Sequence, residues 1–123
     1  MMKSLDIEEQ FDLVRRLVRA TDNGKLEWEQ SPESEFAGAA EVGAFRFLLR
    51  STDDDGAPPF ALTVMRRLSP ESWVYTFELI AQGGSPVDGE LVHLYRLAER
   101  QWTGSLDFSR ELFGTLDRLE EPF

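Results

Sequence analysis

The sequence predicts an α+β fold. It reads as a single antiparallel sheet of about five strands, with an N-terminal helix and two C-terminal helices mainly on one face, in the order α-β-β-β-β-β-α-α. Apolar residues recur at helical spacing near both ends of the chain and nowhere between. From about residue 26 to residue 81 the period is two, and the breaks around Ser31-Pro32, Gly43 and Pro70 are short turn signals. Strands joined by turns that short pair as an antiparallel meander, because parallel neighbours need long crossovers. Helices gathered outside a run of strands give the α+β arrangement. At 123 residues the chain is long enough for one domain, residues 1–123, with a core of its own.

The first helix is expected from Asp6 to Ala20. Asp6 is placed to cap it, and Glu9 three residues on completes a capping box. Ile7, Phe11, Val14, Leu17 and Val18 share one face, and the acids precede the arginines as the helix dipole favours. Asp22-Asn23-Gly24 ends it. The period then becomes two: Leu26, Trp28 and Gln30 alternate with Lys25, Glu27 and Glu29. A weaker strand, Phe36 to Val42, turns at Gly43 into Phe45–Arg50. After a loop from Thr52 to Pro59, Phe60 to Met65 is apolar on both faces and reads as an interior strand. In the last strand Trp73, Tyr75, Phe77 and Leu79 are expected to face one way and Val74, Thr76, Glu78 and Ile80 the other. Ser85-Pro86 has the form of a helix start, and Leu91, Leu94, Tyr95, Ala98 and Trp102 form the stripe of the second helix. Thr103-Gly104-Ser105 breaks it. A third helix, about Asp107 to Leu119, carries Phe108, Leu112, Leu116 and Leu119 on one face.

Composition narrows the function classes. The chain has 23 acids against 13 bases, a formal net charge of −10, which opposes a phosphate backbone and so argues against nucleic-acid binding. It has no cysteine, which removes thiol catalysis and zinc-thiolate sites and suits a reducing, cytoplasmic compartment. No stretch has the length or apolarity of a membrane span, and the first residues lack the apolar segment of a secretory signal.

Four features invite a chemical reading. Glu27 and Glu29 bracket Trp28, but on a strand they share the face opposite the indole, and a catalytic carboxylate pair needs one member desolvated. His93, the single histidine, falls off the apolar stripe of its helix, with Glu90 and Arg96 as helical neighbours and no nucleophile or orienting acid in sequence range. Asp53-Asp54-Asp55-Gly56 lacks the alternate spacing of a calcium loop, and the twelfth position is Val64 instead of Glu. Gly83-Gly84-Ser85-Pro86 lacks the lysine and spacing of a phosphate loop. The expectation is therefore no catalytic, cofactor-binding or metal-binding residue. The aromatics Trp28, Phe45, Phe47, Trp73, Tyr75 and Phe77 are expected mostly in the core.

The segment LVRATDNGKLEWEQS, residues 17–31, followed by antiparallel strands and a C-terminal helix with the Leu94-Tyr95 pair, resembles a group of small uncharacterised bacterial and phage-encoded α+β proteins. That resemblance implies the fold and no catalytic residues. In size and acidity the chain is also similar to type III secretion chaperones and YbjN-type domains, which imply dimers that bind other proteins. Those place a helix between strands, and this sequence shows none there. The functional expectation is a non-catalytic protein–protein interaction domain. It pairs with its own copy through an open sheet face carrying Met65, Val74 and Ile80 among Thr63, Thr76 and Glu78. The alternative is a small ligand-binding domain or enzyme with a pocket between sheet and helices.

Overall fold

A computed structural model describes residues 5–81 and 86–120. Its order is α1 (Ile7–Asp22), β1 (Glu29–Ser31), β2 (Ser34–Val42), β3 (Phe45–Ser51), β4 (Phe60–Ser69), β5 (Ser72–Ala81), α2 (Pro86–Trp102) and α3 (Ser105–Glu120). The strands form one sheet in sequence order, every neighbouring pair antiparallel. This is the α+β meander with flanking helices that the periodicity predicts.

Local chemistry sets the element ends. Asp6 caps α1: its carboxylate accepts from the Glu9 N–H at 2.8 Å while the Glu9 carboxylate accepts from the Asp6 N–H at 3.2 Å. Two of the four orphan donors of the first turn are thereby satisfied. Gly24 follows the helix with φ +73° and Gly43 opens the β2–β3 turn with φ +58°, values a side chain resists. The Leu26–Gln30 strand is shorter than the alternation suggests. Only Glu29–Ser31 pairs with β2, and Leu26 and Trp28 are buried ahead of the ladder.

The rows across the sheet show where the core lies. Ala40, Phe47, Val64 and Phe77 line up across β2–β5, as do Gly38, Leu49, Leu62 and Leu79. Against this inner face pack Val14, Leu17 and Val18 of α1 and Leu91, Leu94, Tyr95 and Ala98 of α2. Phe60 and Tyr95 stack at 3.9 Å between ring centres, and Trp102 meets Tyr95 edge-on at 5.4 Å. Burial holds the Tyr95 hydroxyl above its ordinary pKa, and that hydroxyl donates to the Phe36 carbonyl at 2.9 Å. β4 is flanked on both sides and buries Phe60 to Val64, as expected of an interior strand.

β5 departs from the simple alternation. Val64 pairs with Phe77, but the next residue, Met65, pairs with Tyr75, so Thr76 is the extra residue of a β-bulge. The bulge flips the first half of the strand. Trp73 and Tyr75 stand on the open face with Glu78 and Ile80, and Val74 pairs with Arg66 on the helix side, beyond the helices. The open face therefore keeps Met65, Thr63, Glu78 and Ile80, as strict alternation gives, but carries Trp73 and Tyr75 in place of Val74.

α3 is the second departure. Its apolar stripe is where the spacing places it, yet α3 buries no residue and makes its main contacts with α2. The buried centre of the sheet face is packed by α1 and α2.

Candidate interaction surface

The sites suggested by sequence resolve into local structure. Leu26 and Trp28 point inward while Glu27 and Glu29 are exposed, so the two carboxylates do not face the indole. What the indole faces is a buried polar lock. Its Nε1 donates to Thr21 Oγ1 at 3.0 Å, and Thr21 Oγ1 donates to the Leu17 carbonyl at 2.7 Å. Gln101 closes the lock. Its Oε1 accepts from the Trp28 N–H at 2.8 Å, and its Nε2 donates to the carbonyls of Thr21 at 3.3 Å and Leu26 at 3.2 Å. One amide thus ties the C-terminal ends of α1 and α2 to the chain entering the sheet. Its polar groups are occupied within the lock, which holds these segments together.

The aspartate loop is also a turn. Asp55 Oδ1 accepts from the Ala57 N–H and from Ser51 Oγ, both at 2.9 Å, and these bonds hold its carboxyl below the usual aspartate pKa. Asp54 instead accepts from Ser34 across the sheet end. The neighbouring carboxylates are thus drawn to different donors, and no group of three or more metal-ligating side chains occurs among the described residues. Arg96 reaches over from α2, donating to the Gly56 carbonyl at 3.1 Å. His93 is exposed on α2. The Gly83–Ser85 segment lies outside the described residues.

Two surfaces remain. The open sheet face holds polar pairs between its apolar groups. Glu41 lies 3.8 Å from Arg46 Nε and 3.6 Å from Arg67. Arg67 sits 4.7 Å over the Trp73 ring and Arg46 6.0 Å. Arg50 lies 3.7 Å from Glu78, which also accepts from the Tyr75 hydroxyl and so raises the Tyr75 pKa. Nε of Arg46 is buried with no hydrogen bond, and its guanidinium lies between Glu41 and the Trp73 ring. The charges of this face are thus largely paired with one another.

α3 is different. Phe108 is 66% exposed, Phe113 59%, Leu119 78%, Leu112 42% and Leu116 41%. Apart from Phe113 these fall at i, i+4, i+8 and i+11, one stripe on a sixteen-residue helix. Single exposed apolar residues are ordinary, whereas a contiguous stripe of large ones marks a contact surface. Sequence reasoning finds the stripe but assigns it to the core, since periodicity reports that a face needs cover and not what covers it. Gln101 and Thr21 are legible by a different signal. Gln101 falls at i+3 from Ala98 and Thr21 at i+3 from Val18, so each is a polar exception on an apolar stripe. Paired exceptions of that kind are the mark of a buried lock.

Comparisons with family models, with curated proteins and with solved structures returned no match. No helix among the described residues is long and apolar enough to cross a membrane.

Proposed function

We propose that the protein is a non-catalytic, cytoplasmic interaction domain that binds another protein chain through α3. The observation that carries this reading is the exposed stripe on a helix that contributes no buried residue to its own fold. The rest of the chain supplies the platform: the α1–α2–sheet core is closed, with Val14, Leu49, Phe60, Leu62, Leu91, Leu94 and Tyr95 fully buried. The acidic surface keeps the domain dispersed and sets the charge of its surroundings, and the absence of cysteine agrees with a reducing compartment. The test is site-specific photo-cross-linking. A photoactivatable residue at Phe113 is expected to give protein adducts that Leu112→Glu with Leu116→Glu abolishes, and the same residue at His93 is expected to give none. Adducts at His93 with none at Phe113 would refute the reading.

A small-ligand reading draws on one feature, an apolar cleft of about 340 Å³ under α1, lined by Leu13, Phe45, Phe47, Val64 and Phe77 with Arg66 among its walls. Its size is within the range of ligand pockets, and apolar walls with one charged group suit a small organic anion. Binding of a fluorescent fatty-acid analogue, lost in Val64→Trp, would support it. An unchanged signal in that variant would exclude it.

A further inference from the structure

The stripe on α3 also indicates what covers it, an inference that rests on the interaction-domain reading. We infer that α3 pairs antiparallel with α3 of a second copy of this chain.

Three features of the helix point to a self-partner. The stripe is close to symmetric about Gly114: Leu112 and Leu116 flank it two residues away, and Phe108 lies six residues before it and Leu119 five after. Laid antiparallel about Gly114, two such stripes place Leu112 of one copy against Leu116 of the other and bring Phe108 within one residue of Leu119. The contact is then isologous and closes as a dimer. A parallel pair would align the two helix dipoles and set Phe108 against Phe108, whereas antiparallel dipoles attract.

The area suits a weak, reversible pair. With large side chains contributing roughly 150–250 Å² each, the four stripe residues, about 40–80% exposed, leave on the order of 450 Å² of surface per copy. Two copies together would bury about 900 Å², in the range of transient interfaces. Helix α3 is long enough to make it: sixteen residues span about 24 Å.

The open sheet face competes poorly. Its arginines are already answered by Glu41 and Glu78, and its central residues Ala61 and Thr63 are small and buried. The β5 edge is twisted by its bulge, a device that discourages edge pairing.

Charge sets a distinguishing signature. Each copy carries −10, and α3 itself holds Asp107, Glu111, Asp117 and Glu120 against Arg110 and Arg118. Two like-charged copies repel, so added salt screens the repulsion and tightens the dimer. A basic partner on the same helix would loosen with salt.

Sedimentation equilibrium and cysteine cross-linking test the pairing. Wild type at tens of micromolar is expected at twice the 14.1 kDa chain mass, with tighter association at higher salt. Leu112→Glu with Leu116→Glu is expected to stay at the monomer mass with unchanged circular dichroism, since neither residue is buried in one copy. Because the chain has no native cysteine, single-cysteine variants report geometry cleanly. A mixture of Phe108→Cys and Leu119→Cys chains is expected to form the mixed disulfide. Phe108→Cys alone should not cross-link, because antiparallel positions 108 lie roughly 18 Å apart along the axis, beyond disulfide reach. A wild-type monomer throughout, a dimer that the double Glu variant leaves intact, or efficient 108–108 cross-linking would each overturn the proposal. A monomer that still gives Phe113 adducts with another protein would leave the interaction-domain reading in place while ending this one.

Discussion

Replacing Gly38 with alanine drives a methyl group into the Trp102 ring. A Cβ built at position 38 meets Trp102 Cε3 at 2.3 Å, Cζ3 at 2.6 Å and Cδ2 at 2.9 Å. Favourable carbon contacts lie at about 3.5–4.0 Å, so the ring or β2 must move by more than roughly 1 Å. Neither is free to do so. Trp102 Nε1 donates to the Glu35 carbonyl at 3.1 Å, and the ring edge abuts Tyr95. On the other side, Gly38 is paired with Leu49 in β3 and Gln30 in β1. Overpacking of a closed core costs about 1–3 kcal/mol, and a strained indole hydrogen bond adds about 1 kcal/mol. The reduced chain entropy of alanine returns about 0.4–1 kcal/mol. The net destabilisation is about 1–3.5 kcal/mol, or roughly a 3–18 °C fall in Tm for a domain of this size. Thermal and urea melts followed by circular dichroism measure it. Trp102→Leu in the same chain removes the ring that the methyl strikes, so the double variant should be less destabilised than the sum of the singles by at least about 1 kcal/mol. A Gly38→Ala protein within about 0.5 kcal/mol of wild type, where ordinary surface changes fall, or strict additivity with Trp102→Leu, would refute the packing argument.

Gln101→Leu strips partners from the Trp28 N–H and from the Thr21 and Leu26 carbonyls; urea unfolding should show a loss of about 2–3 kcal/mol, and a neutral result would mean that water replaces the lock. Asp55 has a folded pKa below the ordinary 3.8, so its contribution to stability is full above that value and fades as pH falls through the lower, folded one. Acid titration of stability should therefore be shallower in Asp55→Asn than in wild type below about pH 4, and parallel curves would remove that carboxylate from the turn's energetics. His93→Ala should leave both the melting temperature and the Phe113 cross-linking pattern unchanged, and a loss of adducts with the fold intact would move the contact surface onto α2.

Much of the scaffold is legible in the sequence because its determinants are local. The Asp6–Glu9 box, the glycines at 24 and 43, and the Pro70 turn each act over a few residues, and the order of elements follows. The bulge at Thr76 is not legible. Trp73, Tyr75, Phe77 and Leu79 alternate without a flaw, and only the pairing with β4 reveals that two of them stand on the opposite face. The candidate surface is half legible. Phe108, Leu112, Leu116 and Leu119 announce an apolar face, but burial depends on which element α3 packs against, and its main contacts are with α2. Thr21 and Gln101 show as polar exceptions on their apolar stripes, but that they meet each other and Trp28 is not legible, because they lie up to 80 positions apart and periodicity reports a face and not its partner.

Amide hydrogen exchange of α3 as a function of protein concentration tests the central claim most directly. In a single copy, α3 is held by its own backbone bonds and one flank against α2, so residues 105–120 should exchange far faster than β3 and β4. As concentration rises through the micromolar range, protection of residues 108–119 should increase while the sheet stays unchanged. Protection of α3 equal to that of β4 at the lowest concentration, or independent of concentration, would contradict the account.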